Sequence, residues 1–206
     1  HSSGVFATEV IHGDMLILEY FQPDSEDNDL KLNINRFVYA YRDISGGQLG
    51  GYNSSEDCQV NANCSEGNAW ENQKKSVCRI QIGSGWSVGL CTGALVNNTL
   101  NNCAPYVLSA DHCFSGGDIS ENSLNQSIFY FNYRSPNCNS SVPNNTYSIT
   151  GCSKLSNSGG EGGVGDPDFF LVELNSEPDF DPYFSGWDRS NTAASSGVSI
   201  HHPSGD

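Results

Sequence analysis

The stretches that decide the fold of this 206-residue chain read Cys91-Thr-Gly-Ala-Leu-Val-Asn-Asn98 and Tyr106-Val-Leu-Ser-Ala-Asp-His-Cys113. The second is a β-prone run that ends at a histidine followed directly by a cysteine. A histidine that acts as a general base must hold its ring in one orientation. A disulfide from Cys113 back to Cys91 could clamp this corner and fix the ring. We therefore treat His112 as the first candidate functional residue.

The chain as a whole resembles the trypsin-like serine peptidases, and more narrowly their bacterial lysyl-endopeptidase-like branch. Besides the two stretches above, the resemblance is carried by Asp168-Phe-Phe-Leu-Val-Glu-Leu-Asn175, Phe184-Ser-Gly-Trp-Asp-Arg189 and Val198-Ser-Ile-His-His-Pro203. It implies that His112 is the catalytic base and that Asp168, at the head of an apolar strand, orients it. It also implies protein or peptide substrates, an acyl-enzyme mechanism and no cofactor.

The same chemistry needs a serine nucleophile in a Gly-x-Ser-Gly turn, which in the resembling family follows the His-His-Pro run. Three serine runs lack that context, namely Gly83-Ser84-Gly85, Ser195-Ser196-Gly197 and Pro203-Ser204-Gly205-Asp206. We therefore expect no nucleophile in this chain. We interpret it as a fragment of a secreted serine endopeptidase that is inactive alone, with any lysine preference implied only by the nearest branch.

Two other aspartates compete with Asp168 for the orienting role. Asp166 is two residues away, but the residue directly before an apolar strand can point its carboxylate into the barrel seam, so Asp168 is preferred. Asp111 precedes the histidine, and adjacent side chains on an extended chain point apart. We expect Asp111 to be a solvated corner residue.

The composition indicates an extracellular protein, and we expect it to be a monomer. With 24 acidic and 9 basic residues its net charge is −15, so nucleic acids and anionic membranes would repel it and are not expected partners. The eight cysteines never form a Cys-x-x-Cys motif, which favours disulfides over zinc. His201 and His202 would face opposite sides of a strand and have no third ligand cluster, so no metal site is expected.

The pairing of the cysteines can be assigned in part from the resemblance. It implies the disulfides Cys91–Cys113 and Cys64–Cys138, and a partner for Cys58 that lies outside the chain. The other three, Cys78, Cys103 and Cys152, depart from the pattern of the family. A bridge between two of them is expected, with Cys103–Cys152 preferred because both lie near the loops of the candidate site, although the sequence alone leaves the pairing open.

A Gly/Ser/Asn-rich stretch around residues 46–55 interrupts the periodic pattern and divides the chain. In residues 1–50 an apolar run, Met15–Phe21, and an alternating run, Leu30–Asn35, predict a hairpin-like β segment. The resembling mature peptidases begin close to Cys58, so this segment is interpreted as propeptide-like and the chain as part of a zymogen. An ordinary N-terminal β module is the alternative.

Residues 51–180 contain short β-prone runs separated by Gly, Asn and Ser clusters, which predicts an antiparallel barrel in an all-β protein. The predicted strands are Val77–Ile82, Val88–Val96, Tyr106–Ala110, Ser127–Arg134, Tyr147–Gly151 and Phe169–Leu174, and only Asn68–Lys75 favours a short helix. The resemblance implies a chymotrypsin-like double β-barrel whose first barrel is complete. Residues 181–206 would then be the inter-barrel linker and, at Val198–His202, the opening strand of a second barrel that is mostly missing.

Two other classes of function stay open at this point. The first is a catalytically inactive peptidase homologue that uses the barrel as an adhesion or inhibitor module. The second is a small disulfide-stapled extracellular β domain without peptidase ancestry. The presence of both His112 and Asp168 argues against the first, because a binding module has no reason to keep both residues. The number of matching runs argues against the second.

Overall fold

A computed structural model of the protein describes residues 5–11, 13–21, 31–38, 55–84, 87–117, 119–139, 146–159 and 167–206. Within these residues the fold is mostly β, and seven strands form one antiparallel sheet. The strands are β1 Val77–Ser84, β2 Ser87–Val96, β3 Tyr106–Ser109, β4 Ile128–Phe131, β5 Tyr147–Thr150, β6 Cys152–Asn157 and β7 Phe170–Leu174. The predicted all-β class is confirmed.

The helical elements are short and lie between the strands. They are α1, Glu71–Ser76, α2, Glu121–Asn125, and three 3-10 turns at Ser65–Trp70, Asp111–Gly117 and Pro203–Gly205. The first 3-10 turn and α1 overlap the predicted helical stretch Asn68–Lys75. The N-terminus of α2 is capped by Ser120, whose hydroxyl accepts a hydrogen bond from the backbone N–H of Ser123.

The sheet has the order β5-β4-β1-β2-β3-β7-β6, and all neighbouring strands are antiparallel. Its edge strands, β5 and β6, are consecutive in the chain and are separated only by Gly151. One sharply bent strand therefore pairs with β4 on one side and with β7 on the other, which curls the sheet into a barrel.

Gly151 forms the corner of the barrel. Its φ angle is +83°, a left-handed conformation that favours glycine. Its backbone N–H donates to the Ser127 carbonyl at 2.7 Å, and its carbonyl accepts from the Asn175 N–H at 3.0 Å. Both backbone groups of Gly151 are thus satisfied at the point where the chain leaves one side of the sheet for the other.

The inside of the barrel is a continuous apolar core. In β7 the side chains of Phe170, Val172 and Leu174 are buried, and the residues between them are partly exposed, which is the period-two pattern of a strand with one face in the core. The other strands add Ile80, Ile82, Leu95, Val107, Phe129, Phe131 and Ile149. Each fully buried side chain of this kind contributes about 1.5–3 kcal/mol.

The strand β4 is buried on both faces because the two ends of the chain cover its outer side. A second cluster there consists of Ile128, Tyr130 and Tyr133. The Arg79 guanidinium lies 5.8 Å from the ring centre of Tyr130 and 4.6 Å from that of Tyr133. The His202 ring meets Tyr133 edge-on at 5.8 Å, and the Val10 N–H donates to the Tyr130 hydroxyl at 3.4 Å.

Two predictions of strands are wrong. Residues 13–21 and 31–38 belong to no strand, so the described parts of the Met15–Phe21 and Leu30–Asn35 runs do not form the predicted hairpin. The segment Val198–His202 is not a strand either, because the backbone N–H of His202 donates to the Thr92 hydroxyl at 2.9 Å instead of to a neighbouring strand. An apolar or alternating run becomes a strand only where a partner satisfies its backbone.

The structure contains the disulfides Cys64–Cys138 and Cys91–Cys113, the two pairs that the resemblance implied. The preferred third bridge, Cys103–Cys152, is wrong. Both of these cysteines are free, because Cys103 is exposed on the surface whereas Cys152 is buried in the barrel core. Cys58 is also free and exposed. Burial raises the pKa of the Cys152 thiol to about 12, so this thiol stays protonated and chemically inert at neutral pH.

Replacement of Gly151 by alanine should destabilise the barrel by more than the backbone strain of a positive φ alone would. A Cβ at Gly151 would lie 2.4 Å from Asn175 Nδ2 and 3.0 Å from the Asn125 carbonyl oxygen. Gly159 also has a positive φ, +69°, but nothing lies within 4 Å of an added Cβ, so G159A is the matched control. In denaturant titrations we expect a loss of about 2–3 kcal/mol for G151A and about 1 kcal/mol for G159A. Equal losses would show that Gly151 is not a packed corner.

Candidate active site

The topology of the sheet brings His112 and Asp168 together from distant parts of the sequence. The strands β3 and β7 are antiparallel neighbours, and Ser109, the last residue of β3, lies opposite Phe170, the first residue of β7. His112 follows β3 in a 3-10 turn, and Asp168 lies two positions before Phe170, the first residue of β7. The end of one antiparallel strand lies beside the start of the next, so both side chains emerge at the same end of the barrel.

Asp168 binds His112 through both carboxylate oxygens. Its Oδ2 lies 2.6 Å from Nδ1 of the ring, and its Oδ1 accepts the backbone N–H of His112 at 3.0 Å. A carboxylate only accepts hydrogen bonds, so Nδ1 carries the proton of the neutral ring and Nε2 is the free acceptor. The imidazole is 59% exposed and the carboxylate 24%, which leaves Nε2 accessible from solvent. This is the tautomer that a general base requires.

Hydrogen bonds hold the pKa of Asp168 below its ordinary value. The largest cause is the backbone N–H of His112, followed by the hydrogen bond to the ring; desolvation acts in the opposite direction, and the backbone N–H of Asp111 adds a smaller lowering. The carboxylate therefore remains ionised at neutral pH. An ionised carboxylate in this place stabilises an imidazolium that forms on His112.

Two neighbours of His112 anchor the histidine turn. Cys113 is joined to Cys91 of β2 by a disulfide. The Phe114 ring stacks on Phe170 of β7 with 4.2 Å between ring centres and 7° between ring planes, and both rings are fully buried. The turn is thus attached to β2 by a covalent bond and to β7 by aromatic packing.

Asp111 is not the solvated corner residue that the sequence predicted. Its side chain is 0% exposed. Its carboxylate accepts from Asn157 Nδ2 at 3.2 and 3.1 Å, from Ser158 Oγ at 3.0 Å and from the backbone N–H of Gly159 at 2.7 Å. The side chains of Asp111 and His112 contact different parts of the chain, as expected, but that of Asp111 meets the residues at the end of β6 instead of solvent. Sequence reasoning missed this environment because its donors lie more than forty positions downstream.

The other residues considered for the site are Asp166, His201 and His202. Asp166, the alternative to Asp168, is outside the described residues. His201 is exposed, whereas His202 is partly buried with its Nδ1 2.7 Å from the Asp206 backbone oxygen, and desolvation lowers its pKa to about 4. Among the described residues no group of three or more His, Cys, Asp or Glu side chains could hold a metal ion. Within the same ranges, no helix has the length and apolar character needed to cross a membrane.

The His112–Asp168 pair lies on an open surface. In the part of the chain that the structure describes, no serine hydroxyl is hydrogen-bonded to the His112 ring, and the recorded contact of Nε2 is Cys113 Sγ at 3.7 Å. Two cavities, of about 330 and about 550 Å³, border neither His112 nor Asp168. Among the described residues, Nε2 of His112 is therefore open to solvent.

Comparison with known proteins identifies the family. Residues 52–206 match the family model described as lysyl endopeptidase, C-terminal domain. The chain belongs to this lysyl endopeptidase family. It is also similar to a lysyl endopeptidase of Pseudomonas aeruginosa, with 28% identity over 206 residues that cover 96% of this chain and 43% of that relative. The chain thus spans less than half the length of the relative, and the alternative of a β domain without peptidase ancestry is excluded.

Asp168 should titrate below the ordinary range of aspartate. A carboxyl group whose pKa is depressed by folding contributes stability above its unfolded pKa, and this contribution is lost as pH falls through the folded value. The free energy of unfolding of wild type should therefore exceed that of D168N at neutral pH, with the difference shrinking as the pH falls below about 4, the ordinary pKa of aspartate. The His112 amide proton shift, followed by NMR, should change over the same range.

The control for this titration is D188N. The pKa of Asp188 is also lowered, by hydrogen bonds from the backbone and side chain of Ser190, but Asp188 has no recorded contact with the pair. D188N should therefore leave the His112 amide titration unchanged. A stability difference between wild type and D168N that stays constant down to the lowest pH would contradict the depressed pKa.

Proposed function

We propose that this chain carries the base and the orienting acid of a secreted serine endopeptidase. The observation that supports it best is the two-point contact of Asp168 with His112, 2.6 Å to ring Nδ1 and 3.0 Å to the backbone nitrogen. This contact sets both the tautomer and the direction of the ring. Family membership supports hydrolysis of peptide bonds as the reaction, and the disulfides are compatible with an extracellular protein.

In the proposed mechanism His112 Nε2 takes the proton of a serine hydroxyl as its oxygen attacks the substrate carbonyl. The imidazolium then gives this proton to the leaving amine, and the acyl-enzyme is hydrolysed by water that Nε2 activates in the same way. Asp168 stays ionised and holds the ring throughout. The serine, the oxyanion donors and the specificity pocket lie, in this proposal, outside the 206 residues, and the relative is more than twice as long as the matched region.

The barrel corresponds, in this proposal, to the first barrel of a chymotrypsin-like double barrel. Support comes from the way the segment after β7 runs along the barrel. Ser185 pairs in parallel with Val96 at the end of β2, and the Trp187 indole N–H donates to the Asn97 carbonyl at 3.0 Å. These contacts direct residues 181–206 along the barrel surface, as an inter-barrel linker requires.

The proposal is tested in a form of the protein that extends beyond residue 206 and hydrolyses peptide substrates. H112A should lower kcat by several orders of magnitude, and D168N by about 10⁴-fold, with smaller changes in KM. H201A, at an exposed histidine away from the pair, is the matched control and should retain activity. If H112A kept more than a few per cent of activity, His112 would not be the base. The 206-residue chain alone should not react with serine-directed phosphonates, and stoichiometric labelling would place the nucleophile inside it.

We also propose that residues 1–50 are a propeptide-like segment that is removed during maturation. The family match begins at residue 52, after the Gly/Ser/Asn-rich stretch. The described N-terminal residues contribute no strand to the barrel, and their contacts with it include hydrogen bonds from Arg36 to Gln126 Oε1 at 2.7 Å and from Ser148 to Glu9 Oε2 at 3.2 Å. Barrels with many non-local contacts fold slowly, which gives a removable folding partner a purpose.

N-terminal sequencing of active secreted material tests the maturation step. Cleavage should fall between Gly46 and Cys58, because exposed Gly- and Ser-rich stretches between folded parts are preferred sites of proteolysis. The physical expectation is that the cleaved barrel keeps its disulfides and its His112–Asp168 contact. Active material that still starts upstream of Gly46 would mean that the segment is a permanent module.

A further inference from the structure

We propose that Asp111 is a positioning residue for the His112–Asp168 pair, a buried carboxylate that fixes residues 157–159 at the end of β6 and, through Ser158, the residue after Asp168. The proposal rests on the proposed function, because it assigns Asp111 a role in the geometry of that site. Its basis is a set of hydrogen bonds that joins the residue before the histidine to the residue after Asp168. No contact of Asp111 with a substrate is involved, so its effect passes through the pair.

The first part of the connection runs from Asp111 to the end of β6. The carboxylate accepts from three consecutive residues, Asn157, Ser158 and Gly159, and the shortest of these hydrogen bonds is the one from the Gly159 backbone N–H at 2.7 Å. Gly159 has a φ of +69°, a left-handed conformation that glycine adopts readily but that its sequence alone does not select. Asp111 therefore fixes the backbone of a residue that has little conformational preference of its own.

The second part of the connection runs from Ser158 to β7. The Ser158 hydroxyl donates its proton to Asp111 Oδ2 at 3.0 Å, so the hydroxyl oxygen can still accept a hydrogen bond. It accepts the backbone N–H of Phe169 at 3.1 Å, and the Ser158 N–H donates to the Phe169 carbonyl at 2.9 Å. Phe169 directly follows Asp168. Ser158 thus fixes both backbone groups of the residue beside the orienting acid.

The two carboxylates hold the histidine turn from two sides. Asp168, just before β7, binds His112 in the turn, and Asp111 in the turn binds Gly159, just after β6. The four described hydrogen bonds to the buried Asp111 oxygens all come from neutral groups, and buried polar atoms are costly when they are left without partners. This dependence makes the arrangement specific, since a displacement of Asn157, Ser158 or Gly159 would leave buried oxygen atoms without donors.

The test uses ¹⁵N-histidine NMR of the 206-residue chain at a pH where the His112 ring is neutral. The nitrogen shifts report which ring nitrogen carries the proton, and this is set by the hydrogen bond that Nδ1 makes. Wild type should be the Nδ1–H tautomer. D111A should give a mixture of tautomers, and hydrogen exchange of the His112 and Phe169 amides should accelerate by about tenfold relative to amides of β1.

Three variants separate a positioning role from a loss of stability. I149A truncates a core side chain of β5 that has no part in the network, and it should leave the tautomer and the two amides unchanged at a comparable loss of stability. S158A removes the hydroxyl between Asp111 and Phe169 and keeps the other donors, so it decides the question if D111A does not fold. D111N keeps the side-chain volume of Asp111 and should shift the tautomer and the amide exchange part of the way from the D111A values back to those of wild type.

The outcomes for the two proposals are distinct. If D168N leaves His112 in the Nδ1–H tautomer, the proposed function loses its basis whatever Asp111 does. If D168N changes the tautomer but D111A, or S158A in its place, leaves both the tautomer and the amide exchange as in wild type, Asp111 is only a buried structural residue and the positioning role is overturned. If I149A changes them as much as D111A, the role is overturned in the same way.

Discussion

The turn from Asp111 to Phe114 is the constraint on which the candidate site depends. Its residues bind the loop after β6, the carboxylate of Asp168, the Sγ of Cys91 and the ring of Phe170. In a 3-10 turn consecutive side chains point about 120° apart, because there are three residues per turn. Neighbouring residues of the turn can therefore contact separate elements. These contacts hold the backbone of the turn, and the backbone in turn orients the histidine ring.

That turn in turn depends on the closure of the barrel. β7 can pair with β6 as well as with β3 only because Gly151 lets one strand bend from β4 across to β7. Without this bend the end of β6 would not lie beside the histidine turn, and Asp111 would have no donors. The backbone hydrogen bonds of Gly151 are to Ser127 and Asn175. Its conformation nevertheless supports the geometry of His112 and Asp168 at the end of the barrel.

The sequence predicted those parts of the molecule in which local pattern and tertiary environment agree. β7 was predictable because its alternation matches one face in the core, and the family motifs gave His112 and Asp168, which lie in contact. β6, Cys152–Asn157, was missed because its outward residues are mostly polar and give no apolar alternation. The strand predicted at Met15–Phe21 was wrong for the opposite reason: the run is apolar, but within the described residues it pairs with no strand. Partners distant in sequence decide such cases.

The two aspartates near His112 also explain why proximity in sequence does not select the acid that we propose orients the ring. Asp111 is adjacent in the chain, but its oxygens are fully engaged by neutral donors and it has no exposed surface. Asp168 is partly exposed and spends both oxygens on His112. A carboxylate can stabilise a developing imidazolium only if it faces the ring, whereas one that is enclosed by other donors can only hold the backbone in place. The environment of each carboxylate, and not its distance along the chain, separates the two roles.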